Sequence, residues 1–208
     1  WSAEGREHLG RKGFCSGALI RSDQVLTAAH CFFDRSGKRV PDSEVRFVAG
    51  YKAGTAQAVR GARRVLIADG YDFSVGVTDQ AISRDVALIE LDQPIVQDRL
   101  RPFKTAATPS VGAEVTVVSY ARGRESIPSI QEVCRVVDKV SSVLLLSCNV
   151  TFGASGSPIF VMTQDGPRVA SVVSATGFRG GRKVSMSMTL DGPLEELLGT
   201  ASVEPGTA

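Results

Sequence analysis

The stretch "TFGASGSPIF" (151–160) sets Ser155 between Gly153 and Gly156, with Ser157 and Pro158 following and an apolar run leading away. It reads as a tight turn presenting one hydroxyl. A serine is a feeble nucleophile at its free pKa, so it needs a neighbouring base, and the carbonyl it attacks needs donors for the developing oxyanion. Glycines let backbone N–H groups approach a substrate closely, and those of Gly153 and Ser155 are the natural pair. Each such donor is worth about 3 to 4 kcal/mol of transition-state stabilisation. Taken alone, the segment also reads as a plain Gly/Ser turn between strands.

The search for a base is short, because the chain has two histidines, His8 and His30. His8 lies in the polar stretch "GREHLG" and is expected to be solvated. His30 closes "VLTAAH", where small residues leave room for another segment to pack; singly, it also reads as a structural core histidine. Its neighbour Cys31 raises a zinc reading, which is weak because adjacent residues rarely reach one ion and no matching pair occurs elsewhere. No metal and no cofactor is expected. Cys31 instead reads as half of a staple with Cys15. That bridge closes a loop of 16 positions (15 to 31), for which the chain-entropy relation gives roughly 3 kcal/mol.

A histidine base also requires a group that fixes its tautomer and stabilises the imidazolium. Asp85 opens "DVALIELD", an acid at the head of an otherwise buried-looking strand. Buried carboxylates are costly unless paired, which makes this placement suggestive. An exposed turn aspartate beside Arg84 is the alternative on local grounds. The three segments stand in the order His, Asp, Ser, 55 residues (30 to 85) and 70 residues (85 to 155) apart.

Positioning three such groups is the task of the surrounding elements. Short β-like runs recur between Gly, Pro, Asn and Asp punctuation: "SGALI" (16–20), "VLTAA" (25–29), "EVRFVA" (44–49), "RRVLIA" (63–68) and "DVALIEL" (85–91), then "EVTVVSY" (114–120), "EVCRVV" (132–137), "SVLLLSC" (142–148), "SPIFVM" (157–162), "RVASVVSA" (168–175) and "KVSMSMTL" (183–190). Many short strands at this spacing predict an all-β sandwich or barrel. Between the two sets, "LDQPIVQDRLRPFKTAATPSVG" (91–112) holds three prolines and little periodicity, as a crossing from one barrel to the next would. The expected division is 1–105 and 106–208. One helix is predicted over "DGPLEELLG" (191–199), with Asp191 or Gly192 as cap, Pro193 in the first turn and Gly199 after the last leucine. The tail from 200 is expected to fray, and the sequence shows no internal repeat.

The chain has 208 residues, with 24 basic and 22 acidic side chains and a formal charge of +2. That balance does not ask for nucleic acid. The densest basic spot, "RGARR" (60–64), reads as a solvated strand edge or loop, and "FRGGRK" (178–183) as a Gly-rich basic loop. No run approaches the length of a membrane span. The opening residues lack a signal peptide's apolar core, so an exported protein would appear here in mature form. Four cysteines (Cys15, Cys31, Cys134, Cys148) allow three pairings, and two disulfides in an oxidising compartment are favoured.

"LTAAHC", "DVALIEL" and "GASGSP", each occurring once and in this order, resemble the trypsin/chymotrypsin-like serine peptidase family. The resemblance runs from about residue 13 to 195, with "CSGALIRSDQVLTAAHC" its most specific portion. It implies two packed six-stranded antiparallel β-barrels with a short C-terminal helix. The N-terminal barrel would carry His30 and Asp85 and the C-terminal barrel Ser155, with His30 as base then acid, Asp85 as its orienting partner and Ser155 as nucleophile. Protein or peptide substrates, a monomer, and a secreted or periplasmic location are the corresponding expectations.

Some positions depart from the family. Its digestive and clotting members carry an aspartate before the nucleophile that pairs with a new N-terminal amine; here that residue is Ala154, and no "IVGG"-like opening precedes Cys15, so that activation switch is not expected. "GSP" and the few cysteines look more like secreted bacterial members, the glutamyl-endopeptidase branch among them. Cys134 and Cys148 bracket what looks like a hairpin and are expected to form the second bridge. By similarity, Ser174, Ala175 and Thr176 pair with an extended substrate backbone, and Asn149 lies at the floor of the pocket for the residue before the scissile bond. Asn149 carries no negative charge, so a Lys or Arg preference lacks its anchor. The branch that cuts after glutamate has a histidine where Val173 stands. Arg179, Arg182 and Lys183 could bring positive charge to an acidic side chain or be solvated, and the preference stays open. A latent or non-catalytic binding protein on the same fold is the alternative, raised by Ala154 and the missing switch.

Overall fold

Each apolar run above becomes a strand in the computed structural model, which describes residues 3–9, 14–120, 128–150 and 153–202. The first barrel comprises β1 (Glu4–Leu9), β2 (Phe14–Arg21), β3 (Gln24–Thr27), β4 (Val45–Ala49), β5 (Ala58–Ile67) and β6 (Ala87–Leu91), closed in the order β1-β2-β3-β6-β5-β4. The second comprises β7 (Glu114–Ser119), β8 (Ser129–Val140), β9 (Val143–Leu146), β10 (Pro158–Thr163), β11 (Gly166–Arg179) and β12 (Arg182–Met188), closed in the order β10-β11-β12-β9-β8-β7. Read from the other end, that is the same connectivity as the first barrel, so the topology repeats although the sequence does not. All strand pairs are antiparallel, and closure leaves neither sheet with an open edge along its whole length.

The strand with no apolar signature is β1. Its Glu4 and Glu7 are fully buried, which hides it from any reading based on hydropathy. The side chain of His8, in the same strand, lies outside the described residues. β9, "VLLL", is apolar at four successive positions because both its faces are covered. Leu144 and Leu146 pack into the interior of the second barrel. Val143 and Leu145 pack outward with Val184 against Ile82.

Ile82 belongs to a six-residue helix, α1 (Asp79–Arg84), that the sequence reading did not anticipate. It is too short for a periodic pattern; its one local sign is Thr78, whose hydroxyl accepts the Ala81 N–H at 3.1 Å. The expected C-terminal helix is present as α2 (Pro193–Ser202). It starts at Pro193, as expected for a cap at Gly192, but runs on through Gly199, because Leu198 and Ala201 continue its packing face and the hydroxyls of Thr200 and Ser202 bond the carbonyls of Glu196 and Leu198. The tail from 203 lies outside the described residues.

The "RGARR" segment lies within β5, where Arg64 and, at 3.6 Å, Arg63 pair with the buried carboxylate of Glu90. "FRGGRK" is not a loop but the tip of the β11–β12 hairpin, turning on Gly180 and Gly181. In the connection between barrels, the Phe103 N–H donates to Leu19 of the first barrel at 2.8 Å, while Lys104 and Ala106 bond Val169 of the second. Phe103 meets Phe160 edge-on, with ring centroids 4.8 Å apart, a contact worth about 1 kcal/mol beyond its burial. The apolar core of the first barrel continues through Val118, Phe160, Val169 and Val172, so the two barrels share one interface core.

Candidate active site

β3 ends at Thr27, and a 3-10 turn over Ala29–Phe32 carries His30. Cys31 is bonded to Cys15, which ties this turn to β2, and Cys134 is bonded to Cys148. Both pairings match the expected ones. Cys15, His30 and Cys31 form the one His/Cys/Asp/Glu cluster of metal-ligand spacing among the described residues, but sulfurs joined to each other offer no thiolate to an ion.

Asp85 caps the C-terminus of α1, directly before β6. It is 3% exposed and has three donors. Its Oδ1 accepts the His30 backbone N–H at 2.8 Å, and its Oδ2 faces His30 Nδ1 at 2.7 Å. The third donor is the Ser174 hydroxyl, also bonded to Oδ2. Ser174 reaches Asp85 because it is the extra residue of a bulge in β11: Val173 pairs with Ser187 and Ala175 with Met186, leaving Ser174 between them. Burial lowers the His30 pKa, but the charge of Asp85 and its hydrogen bond raise it more, so the imidazole titrates above the ordinary histidine value.

The space left beside "LTAAH" is filled by the Ser155 loop. A Cβ on Gly156 would lie 2.2 Å from Thr27 Oγ1 and 2.3 Å from the Ser16 carbonyl oxygen. Gly153 and Gly156 both have positive φ, 92° and 74°, which glycine adopts without steric cost. Ser16 bolts the loop to the first barrel: its N–H donates to the Ser155 carbonyl at 2.9 Å, and its hydroxyl lies 3.5 Å from the Gly153 carbonyl and accepts the Tyr120 N–H at 3.1 Å. Gly156 N–H bonds the Val173 carbonyl at 2.8 Å. The N–H groups of Gly153 and Ser155 have no acceptor among the described residues. Ala154 is 1% exposed, its methyl buried in the core of the second barrel.

His30, Asp85 and Ser155 line one cavity of about 660 Å³ between the barrels. No hydrogen bond joins Ser155 Oγ to the His30 ring among the described residues. One wall comes from the β5–β6 connection, with Tyr71, Phe73, Val77 and Ile82; the other comes from Val150, Val173, Ser174, Ala175, Thr176 and Lys183. Burial and the charges of Asp85 and Asp72 raise the Tyr71 hydroxyl, keeping it a neutral donor. β10 pairs with β11 only as far as Val172, so residues 174–176 have no strand partner on that side among the described residues. Asn149 is exposed and does not line the cavity. Its N–H bonds Gln131 Oε1 and its Oδ1 accepts from Lys183 Nζ at 3.1 Å, and it is Lys183 that reaches the cavity wall.

The family model described as Trypsin matches residues 3–187. The chain belongs to the trypsin family. Among curated trypsin-like proteins, it is 37% identical over 92 residues to a "Trypsin-like protease" of Streptomyces glaucescens, covering 44% of this chain and 31% of that protein. It is 28% identical over 174 residues to "Serine protease SP24D" of Anopheles gambiae, covering 72% of this chain and 59% of that protein. To "Trypsin zeta" of Drosophila erecta it is 25% identical over 109 residues, covering 50% and 35%. The matched stretches thus span between about a third and three fifths of these trypsin-like relatives. The double barrel described above is the trypsin/chymotrypsin-like fold, and in this trypsin-family chain Asp85 sits at the end of α1.

Proposed function

We propose that this chain is a secreted serine endopeptidase that cleaves proteins or peptides through an acyl-enzyme. The observation that carries the reading is the 2.7 Å approach of Asp85 Oδ2 to His30 Nδ1 on the wall of the cavity that Ser155 also lines. With Nδ1–H given to Asp85, the remaining nitrogen Nε2 is a base. Ser155 Oγ attacks the carbonyl carbon while its proton passes to Nε2, and the oxyanion accepts from the N–H groups of Gly153 and Ser155. Collapse of the tetrahedral species breaks the C–N bond as His30 returns the proton to the leaving amine. Water, deprotonated by His30, then attacks the acyl carbon and releases Ser155. No step needs a metal or cofactor. Residues 174–176 present their unpartnered edge to the substrate backbone as an added strand.

The division at residue 105 is supported by the switch of backbone partners between Phe103 and Ala106. The two disulfides support an oxidising, extracellular location. The "GSP" ending supports a place among secreted bacterial members. A second reading, a latent or binding protein on this fold, draws on the apolar burial of Ala154 and on the open link between Ser155 and His30. Labelling of wild type and Ser155→Ala with a fluorophosphonate separates the two. Rapid stoichiometric labelling of wild type alone is expected, and a folded wild type that stays unlabelled would transfer the weight to the latent form.

A further inference from the structure

Lys183 stands at the start of β12, and its Nζ donates to Asn149 Oδ1 at 3.1 Å and to the Val150 carbonyl at 3.3 Å. Both acceptors are neutral. No carboxylate pairs with it among the described residues. Phe178 is its partner across the hairpin, and Arg179, the next residue along that strand, is by contrast engaged with Asp79 at 3.6 Å. Lys183 therefore brings a whole unbalanced charge and a spare N–H to the cavity that contains Ser155.

The strand register says where that charge points. Residues two apart on a strand share a face, so Lys183 faces the same side as Ser185, which lies opposite Leu146 in the ladder with β9. Leu146 belongs to the interior of the second barrel, as do Val150 and Val173. Lys183 thus sits at the mouth of that interior, beside an apolar wall formed by Val150 and Val173 on the cavity side. Ser185, one step deeper, is fully buried, and its hydroxyl has no partner among the described residues. The one acid lining the cavity among the described residues, Asp85, already has its oxygens taken by His30 and Ser174.

We propose that this slot selects an acidic side chain, Glu or Asp, immediately before the scissile bond, and that Lys183 is the residue that recognises it, with Asn149 and the Val150 carbonyl holding the ammonium in place. A short chain ending in an anion matches an apolar wall with one cation. A Lys or Arg side chain would bring a second positive charge into the same cavity, and an apolar one would leave the ammonium without an anion. The inference rests on Ser155 being the nucleophile.

The test compares kcat/KM on quenched peptides that differ only at the residue before the scissile bond (Glu, Asp, Gln, Lys), with the cleavage point read by mass spectrometry. Wild type should favour Glu or Asp over Gln by about 10- to 100-fold, the range of a hydrogen bond to a charged group, and cleave the Lys peptide least. Lys183→Met should erase the acid-to-amide ratio, Lys183→Arg should keep it, and Lys183→Glu should favour the Lys peptide. A ratio is read, so a general loss of activity does not imitate the result. Wild type labelled at Ser155 by a fluorophosphonate but cleaving Glu and Gln peptides equally would overturn the specificity alone. A preference that survives in Lys183→Met would remove Lys183 from the role. Folded wild type that neither labels nor cleaves would overturn the peptidase reading beneath it.

Discussion

Asp85 grips His30 twice, through the backbone N–H at 2.8 Å and through Nδ1 at 2.7 Å. One contact positions the turn that carries the ring and the other orients the ring within it. Both begin from a helix cap on the far side of 55 residues of chain, so the alignment depends on α1 being seated against the second barrel through Ile82.

Asp85→Asn should leave the fold intact and cut kcat on a peptide substrate by about four orders of magnitude, because an amide can offer His30 its NH2 and favour the wrong tautomer. Steady-state kinetics beside an unchanged thermal transition would show it; a loss of under tenfold would remove Asp85 from the mechanism.

The acid limb of kcat/KM should lie above pH 6.5. In the proposed mechanism neutral His30 is the active form, and Asp85 raises its pKa despite the opposing effect of burial, so activity should be lost as pH falls through a value higher than that of a free histidine. The same shift stabilises the folded state below 6.5 and ceases to do so as pH rises through the folded pKa. A pH–rate profile with its acid limb at or below 6.5 would contradict the Asp85 contact.

Glu7→Gln should stabilise the protein at alkaline pH. Burial raises the Glu7 carboxyl well above 4.5 against the opposing hydrogen bond of Thr27. Thr27 Oγ1 lies 3.1 Å from Glu7 Oε2 and 3.0 Å from the Ser16 carbonyl, and its single proton cannot serve both, which suits a carboxyl that keeps its own. A raised folded pKa means that stability is complete below 4.5 and falls as pH climbs toward the folded value. The variant's Tm should exceed wild type at pH 8, by on the order of 3 °C for each kcal/mol relieved, and match it near pH 4. Equal Tm values at pH 8 would show that ionising Glu7 costs nothing.

Gly156→Ala should cost on the order of 3 kcal/mol, at the upper end of single substitutions. The added methyl would meet the Ser16 carbonyl at 2.3 Å, a backbone atom that cannot swing aside, at a φ of +74°. Denaturant unfolding reads the loss, and fluorophosphonate labelling should fall with it because the same contact seats the Ser155 loop.

Eleven of the twelve strands were legible because their burial is one-sided or complete and leaves an apolar pattern. β1 was not, since Glu4 and Glu7 are buried on its opposite faces, and a buried carboxyl looks in sequence like a solvated one. α1 was too short for a period to show. In the helix after Asp191, Gly199 looked like a stop signal until Leu198 and Ala201 were seen packing on both sides of it.

The sequence by itself determined which residues were available for chemistry: two histidines, a serine between glycines, an aspartate heading the run "DVALIEL", and cysteines spaced for two short loops. These are matters of residue type and local turn, encoded within a few positions. Only the tertiary structure decided which of them meet. That Ser174 turns its hydroxyl to Asp85, 89 residues away, follows from a bulge in β11. That Lys183 rather than Asn149 faces the cavity follows from the register of β12 on β9. That Ser16 anchors the Ser155 loop follows from the packing of one barrel on the other. Contacts at such separations depend on closure of the barrels, which no local run of residues records.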